Sequence, residues 1–184
     1  MTMATSTAEV SHDGNCISKL PQHVVDMIAA GEVVQRPSAV IKELLENALD
    51  AGSTKIIVDL EHGGLDKITI TDNGSGIRKE DLKLAATRHA TSKLSTVEDF
   101  ERLETFGFRG EALASISHVS RKLSITTRTE SDKVGYKQSY QNGKPIPSES
   151  SPPKPCAKGH VGTTIIVEGL FYNVPLRRQA VSEQ

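Results

Sequence analysis

Val40-Ile41-Lys42-Glu43-Leu44-Leu45-Glu46-Asn47-Ala48-Leu49-Asp50 consists mostly of good helix formers and meets no Gly or Pro before Gly52. At roughly 100° per residue, Val40, Ile41, Leu44, Leu45 and Ala48 line one apolar stripe that must face a core. Glu43, Asn47 and Asp50 recur at i, i+4 and i+7 on the other side, with Glu46 beside them. Glu43 and Asn47 lie nearest one edge of the stripe, and Glu46 is expected to point more squarely to solvent. A carboxylate and a carboxamide one turn apart, at the rim of a core, suit the joint holding of a water and a hard cation. Taken alone, the same residues also suit a solvated helix face. The rest of the chain decides between the two.

A chain of 184 residues is long enough for one well-buried domain, and 36% hydrophobic with 24% charged residues is ordinary for a soluble globular protein. A net charge of −1 gives no overall drive toward nucleic acid or an anionic membrane, so any DNA contact needs a local patch or protein outside this stretch. Arg177-Arg178 leaves such a patch open. Cys16 and Cys156 stand alone, without metal-ligand spacing, as in a reducing compartment. No apolar run approaches a membrane span, and the opening residues carry neither a hydrophobic signal core nor an Arg-rich amphipathic pattern. Residues 1–16 therefore read as a flexible tail and 17–184 as one domain.

Residues 17–20 suit a short edge strand, and Pro21 suits the first turn of a helix bearing Val24, Val25, Ile28 and Ala29, which Gly31 is expected to interrupt. Gly52 suits a left-handed cap on the organising helix. Residues 54–60 and 67–71 alternate as strands across Gly63-Gly64, the pattern of an antiparallel hairpin. Residues 77–86 suit a short amphipathic helix, and the polar residues 87–106 suit a mobile lid or a plain connection. Strands are expected at 122–128 and 134–140, followed by a turn at Asn142-Gly143 and an irregular Pro-rich loop over 145–160. Residues 163–167 are β-branched throughout and suit a central, doubly covered strand.

Three short motifs carry chemistry. Asp72 continues the phase of Ile68 and Ile70, so its carboxylate faces the core and needs hydrogen-bond donors there. Asp72-Asn73-Gly74-Ser75-Gly76 then turns tightly, with room for a flat ligand against Gly74 and Gly76, or closes a surface hairpin as an Asx turn. A calcium loop is a poor fit, because Gly74 and Gly76 stand where an EF-hand needs oxygen ligands. Gly107-Phe108-Arg109-Gly110-Glu111-Ala112-Leu113 places glycines before a helix-forming run, whose free N–H groups would seat a phosphate. It is not a Walker A loop, since no Gly-Lys-Ser/Thr follows.

Glu43 with Asn47, then residues 72–76, then residues 107–113, closed by Gly162-Thr163, together resemble the four nucleotide-binding motifs of the GHKL ATPases. Ala29-Ala30-Gly31-Glu32-Val33-Val34, His89-Ala90-Thr91-Ser92-Lys93 and residues 107–116 are similar to the MutL mismatch-repair proteins in particular. Pro152-Pro153-Lys154-Pro155-Cys156 and Leu170-Phe171-Tyr172-Asn173 resemble their eukaryotic MLH-type subunit, with a PMS-type subunit as the nearest competitor. The resemblance covers about residues 17–180 and implies an α+β two-layer sandwich, with helices packed on one face of a mixed, mostly antiparallel sheet. It implies a Mg2+-dependent ATPase in which Glu43 is the general base and Asn47 the metal ligand. Asp72 would accept the adenine amine, with Thr163 in support and Gly74 and Gly76 beside it. Thr91, Ser92 and Lys93 would belong to the ATP lid, while Arg109, Gly110, Glu111, Ala112 and Leu113 would give the phosphates their amides. It further implies ATP-dependent lid closure and dimerisation, and a heterodimer with a PMS-type MutL homologue. Contact with a MutS-homologue mismatch-recognition complex, DNA binding by the full-length protein and a nuclear location are implied as well. A second domain and a C-terminal dimerisation region would lie outside this chain, and the isolated fragment would be weak or inactive in hydrolysis. The extension before Ile17 departs from the family pattern.

Overall fold

Seven strands pair into one sheet in the computed structural model, which describes residues 17–93, 105–147 and 152–183. In chain order the strands are β1 (Ile56–Glu61), β2 (Lys67–Asp72), β3 (Ser120–Arg128), β4 (Gly135–Gln141), β5 (Lys144–Pro145), β6 (Lys154–Cys156) and β7 (Gly162–Leu170). Their order across the sheet is β1-β2-β7-β3-β4-β5, with β6 also on β4, and each pairing among the described residues is antiparallel. The helices are α1 (Gln22–Val33), α2 (Pro37–Asp50), α3 (Lys79–Leu82), α4 (Ala112–Val119) and α5 (Pro175–Ser182).

Alternation places the core on one face of the sheet. Ile68 and Ile70 of β2, Leu123 and Ile125 of β3, and Ile165 and Val167 of β7 meet Val40 and Leu44 of α2, Ala30 of α1 and Ile116 of α4 in one cluster. Each fully buried Leu or Ile there contributes about 1.5–3 kcal/mol relative to exposure. The α2 stripe packs as its spacing predicts: Val40, Leu44 and Ala48 are buried, and Gly52 caps the helix end with φ +73°.

Several expectations need correction. Residues 17–20 form no strand; they are exposed, without a neighbouring strand to pair with. Gly31 does not interrupt α1, because Arg177 of α5 lies against its bare Cα and donates to the carbonyls of Gly31 (2.9 Å) and Val34 (3.1 Å). Arg178 likewise donates to the carbonyls of Leu65 and Leu170 and pairs with Asp66, so both arginines of the patch left open above are engaged within the chain. Only residues 79–82 of the 77–86 segment are helical. The Pro-rich stretch is not irregular throughout, since β5 and β6 both pair with β4. β7 is central as expected, but Thr164 and Ile166 on its second face are only partly covered, because the helices occupy one side. The tail at 1–16 and residues 94–104 of the expected lid lie outside the described residues.

Candidate functional site

Asp72 ends β2 with its side chain on the core face and is 6% exposed. Three donors converge on one carboxylate oxygen: the amides of Gly74 (2.8 Å) and Thr163 (3.2 Å) and the Ser53 hydroxyl (3.3 Å) reach Oδ1. Among the described residues no donor reaches Oδ2. The buried charge is therefore held by three bonds on one side and keeps an acceptor on the other. Thr163 is 5% exposed and shares a hydroxyl–hydroxyl bond of 3.1 Å with Thr127, which also accepts the Ile77 amide at 2.8 Å.

The Asx reading of the turn has a direct counterpart. The Gly74 amide on Asp72 is an Asx contact, and Asn73 staples the start of β1 by accepting from the amides of Thr54 (2.9 Å) and Lys55 (2.8 Å). On the side where a Cβ would stand, each glycine meets the chain itself. An added Cβ at Gly74 would lie 2.6 Å from Ser53 Oγ, and one at Gly76 would lie 2.3 Å from the Arg128 carbonyl. These glycines let α2 and β3 close on the turn.

On α2, Glu43 and Glu46 differ in a way the helical spacing does not predict. Glu46 is the less exposed side chain, 22% against 31% for Glu43, and Lys42 one turn earlier pairs with it at 2.8 Å. Glu43 has only the same ammonium, at 4.0 Å, and so keeps its carboxylate oxygens free of hydrogen bonds among the described residues. Pairing, not exposure, separates the two. Lys93 donates to Asn47 Oδ1 (2.9 Å) and Asp50 Oδ2 (2.6 Å), and the amides of Phe106 and Gly107 each reach the Asp50 carboxylate at 3.0 Å. Burial pushes the Asp50 carboxyl upward, but the Lys93 and backbone hydrogen bonds outweigh it and hold the group below the usual carboxylate range.

Residues 107–111 fold against residues 87–90. Gly110 has φ +63°, accepts the His89 amide at 3.0 Å and passes so close to Ala90 that an added Cβ would lie 2.5 Å from its carbonyl. His89 Nδ1 stands 3.5 Å from Glu111, the residue preceding α4, and no side chain caps that helix. The first-turn amides of Ala112 and Leu113 are thus left at the positive end of the helix. Arg109 is exposed, its guanidinium 5.6 Å from the Phe108 ring. Thr91 and Ser92 are exposed, and Thr91 Oγ1 accepts the Lys93 amide at 3.1 Å.

The end of α2 is therefore where the motifs meet: Ser53 and Ala51 touch the Asp72 turn, and Asn47 and Asp50 hold Lys93 and Gly107. Thr91, Ser92 and Arg109 make no hydrogen bond to α2. Ser53 and Thr127 were not singled out from the sequence. Thr127 shares the phase of Leu123 and Ile125, a usable signal, whereas nothing in the spacing marks Ser53. Lys158, 8% exposed, sits on the other face of the sheet and donates to Thr164 at 3.1 Å; burial lowers its pKa against the opposing pull of Asp72 and Cys156. A surface cavity of about 680 Å³ lies at the far end of the sheet, lined by Asp66, Arg121, Lys122 and Glu168 among others, and shares no residue with this site.

Among the described residues, no cluster of three His, Cys, Asp or Glu side chains could hold a metal, and no helix is long and apolar enough to cross a membrane. A divalent ion here would need oxygen from a ligand as well as from Asn47. The residues fit that role: Asn47 Oδ1 and Asp50 Oδ2 already hold one cationic group, the Lys93 ammonium, between them.

Residues 35–163 match the family described as Histidine kinase-, DNA gyrase B-, and HSP90-like ATPase. The chain is 53% identical over 169 residues to the DNA mismatch repair protein Mlh1 of Dictyostelium discoideum, covering 90% of this chain and 19% of that protein. It is 52% identical over 163 residues to the DNA mismatch repair protein MutL of Proteus mirabilis (strain HI4320), covering 89% and 24%. The chain thus spans a quarter or less of the length of these curated relatives. Among solved structures, the N-terminal domain of a DNA repair protein superposes with a TM-score of 0.69 at 31% identity, covering 87% of this chain and 43% of that one. The Aquifex aeolicus MutL ATPase domain complexed with ADP superposes with a TM-score of 0.56 at 31% identity, covering 80% and 48%. The sheet with helices on one face is the fold of those domains, and the chain belongs to the histidine kinase-, DNA gyrase B- and HSP90-like ATPase family, with MutL and Mlh1 among its relatives.

Proposed function

We propose that this chain is the ATP-binding and ATP-hydrolysing domain of a MutL-homologue DNA mismatch repair protein of the MLH type, acting in the nucleus as a nucleotide-dependent switch. The observation that carries the reading is the Asp72 carboxylate: buried, triply bonded on Oδ1 and open on Oδ2. An acceptor fixed in this way suits an exocyclic amine, as on adenine, and disfavours a carbonyl at the same place. The Thr163 amide holds the carboxylate in register, and the Thr127–Thr163 pair fixes β7 behind it.

At the other end of the site, the free amides of Ala112 and Leu113, with the backbone of Arg109, Gly110 and Glu111, suit phosphate oxygens. Lys93 supplies a positive charge from Thr91-Ser92-Lys93. Asn47 would hold Mg2+, which, when bound, neutralises phosphate charge and orients the γ-phosphoryl group. Glu43 has a carboxylate free of hydrogen bonds, suited to accept the proton of an attacking water. Glu46, tied to Lys42, is not. The heterodimer with a PMS-type homologue, contact with a MutS-type complex and DNA binding belong to this reading of the longer protein; the similarity to Mlh1 and MutL supports them.

Competition binding tests the base reading. ATP should displace a fluorescent adenine nucleotide at least about tenfold better than GTP, whose carbonyl meets the Asp72 acceptor. Equal displacement by the two would remove the nucleotide assignment of Asp72.

A further inference from the structure

We propose that Asp50 is a positioning residue of the nucleotide site: its carboxylate fixes the Lys93 ammonium and the Phe106 and Gly107 amides at the end of α2, beside Asn47. The inference rests on the nucleotide reading above. Asp50 closes α2, where the negative end of the helix dipole disfavours a carboxylate. It is not needed as a cap, since Gly52 already turns the chain there with φ +73°. Nor is it a solvated surface charge, because its side chain is 4% exposed.

Its compensation comes from segments on both sides of residues 94–104. Lys93 donates to Oδ2 at 2.6 Å, Gly107 to Oδ2 at 3.0 Å and Phe106 to Oδ1 at 3.0 Å. The same Lys93 ammonium reaches Asn47 Oδ1 at 2.9 Å. Gly107 is pressed into the cluster: an added Cβ would lie 3.3 Å from both Asn47 Oδ1 and Lys93 Nζ. One buried carboxylate therefore sets the distance between the segment ending at Lys93, the segment starting at Gly107 and the helix that carries Asn47 and Glu43. With a divalent ion held at Asn47, the Asp50 carboxylate would keep the Lys93 ammonium nearby for phosphate.

Asp50→Asn in the 184-residue chain tests this. The amide keeps the shape, but its NH2 opposes the donors of Lys93 and Gly107. The expected loss of affinity rises with phosphate number: small for AMP, intermediate for ADP, and about tenfold or more for a non-hydrolysable ATP analogue with Mg2+, read by calorimetry. A purely structural role would lower all three alike. Lys93→Met should give the same graded loss, and the double variant should lose little more than either single one, because the two residues act through one contact. Should Asp50→Asn not fold, Lys93→Met carries the test: unchanged affinity for all three nucleotides would overturn the proposal. So would a uniform loss, or fully additive losses, with Asp50→Asn. A wild-type chain that binds no adenine nucleotide would sink the nucleotide reading itself and this inference with it. Binding by wild type that Asp50→Asn leaves unchanged would sink this inference alone.

Discussion

Replacing Asp72 with Asn should reverse the base preference of the site while leaving the fold nearly intact. The donors to Asp72 all reach Oδ1: Gly74 at 2.8 Å, Thr163 at 3.2 Å and Ser53 at 3.3 Å. An Asn side chain keeps those three bonds by placing its own oxygen there. The bonds weaken without the charge, but the cost of burying a carboxylate is relieved at the same time, so stability should change by less than about 2 kcal/mol. The NH2 group then occupies the place of Oδ2 and faces the adenine amine donor to donor. A mispaired buried polar contact costs about 1–3 kcal/mol, an affinity loss of about 5- to 150-fold for an ATP analogue. The inosine analogue, with a carbonyl at the same ring position, should bind the variant better than the adenine analogue does. Calorimetry with both nucleotides, with thermal unfolding as a control for the fold, measures each term. An intact variant that binds the adenine analogue as tightly as wild type would refute the reasoning.

Other outcomes follow from particular contacts. In the longer protein that includes the second domain, Glu43→Ala should keep nucleotide binding and lower phosphate release by about 10²–10⁴-fold, whereas Glu46→Ala, which removes a surface pair with Lys42, should change turnover little. The opposite ranking would reverse the assignment. Gly110→Ala combines φ +63° with a Cβ placed 2.5 Å from the Ala90 carbonyl, so chemical denaturation should show a loss of about 1–3 kcal/mol or more. A neutral Gly110→Ala would mean that residues 107–111 do not pack on residues 87–90. Burial lowers the His118 pKa below its ordinary 6.5, with Arg88 adding to the shift and Asp26 opposing it. The unfolded chain then binds more protons, so this contribution to stability is fully present above the unfolded pKa and is lost as pH falls through the lowered folded pKa. His118→Gln should flatten the stability profile as pH falls below the ordinary histidine value of 6.5, measured by denaturant midpoints; an unchanged slope would contradict the burial argument.

Local pattern made most of the architecture legible. The period-two alternation of Ile68, Ile70 and Asp72 predicted which face holds the carboxylate, and the buried positions of β2 agree. The α2 stripe and the left-handed cap at Gly52 were readable for the same reason: helical spacing and glycine φ are properties of short segments. Contacts between distant segments were not readable. Gly31 looks like a break until Arg177, far along the chain, is seen to fill the space beside it and bind its carbonyl. Arg177-Arg178 looks like a surface patch until its carbonyl acceptors are known. The close approach of Ser53 to Gly74 and of the Arg128 backbone to Gly76 is likewise set by distant segments. The spacing turned Glu46 toward solvent, whereas Glu46 is the less exposed of the two and differs from Glu43 in its pairing with Lys42.

The most direct measurement is a crystal structure of this chain grown with Mg2+ and a non-hydrolysable ATP analogue. The expected result has the adenine amine on Asp72 Oδ2, the metal on Asn47 Oδ1 and the phosphates against the amides of residues 109–113. An adenine bound away from Asp72, or phosphates that leave residues 109–113 untouched, would contradict the assignment of this site.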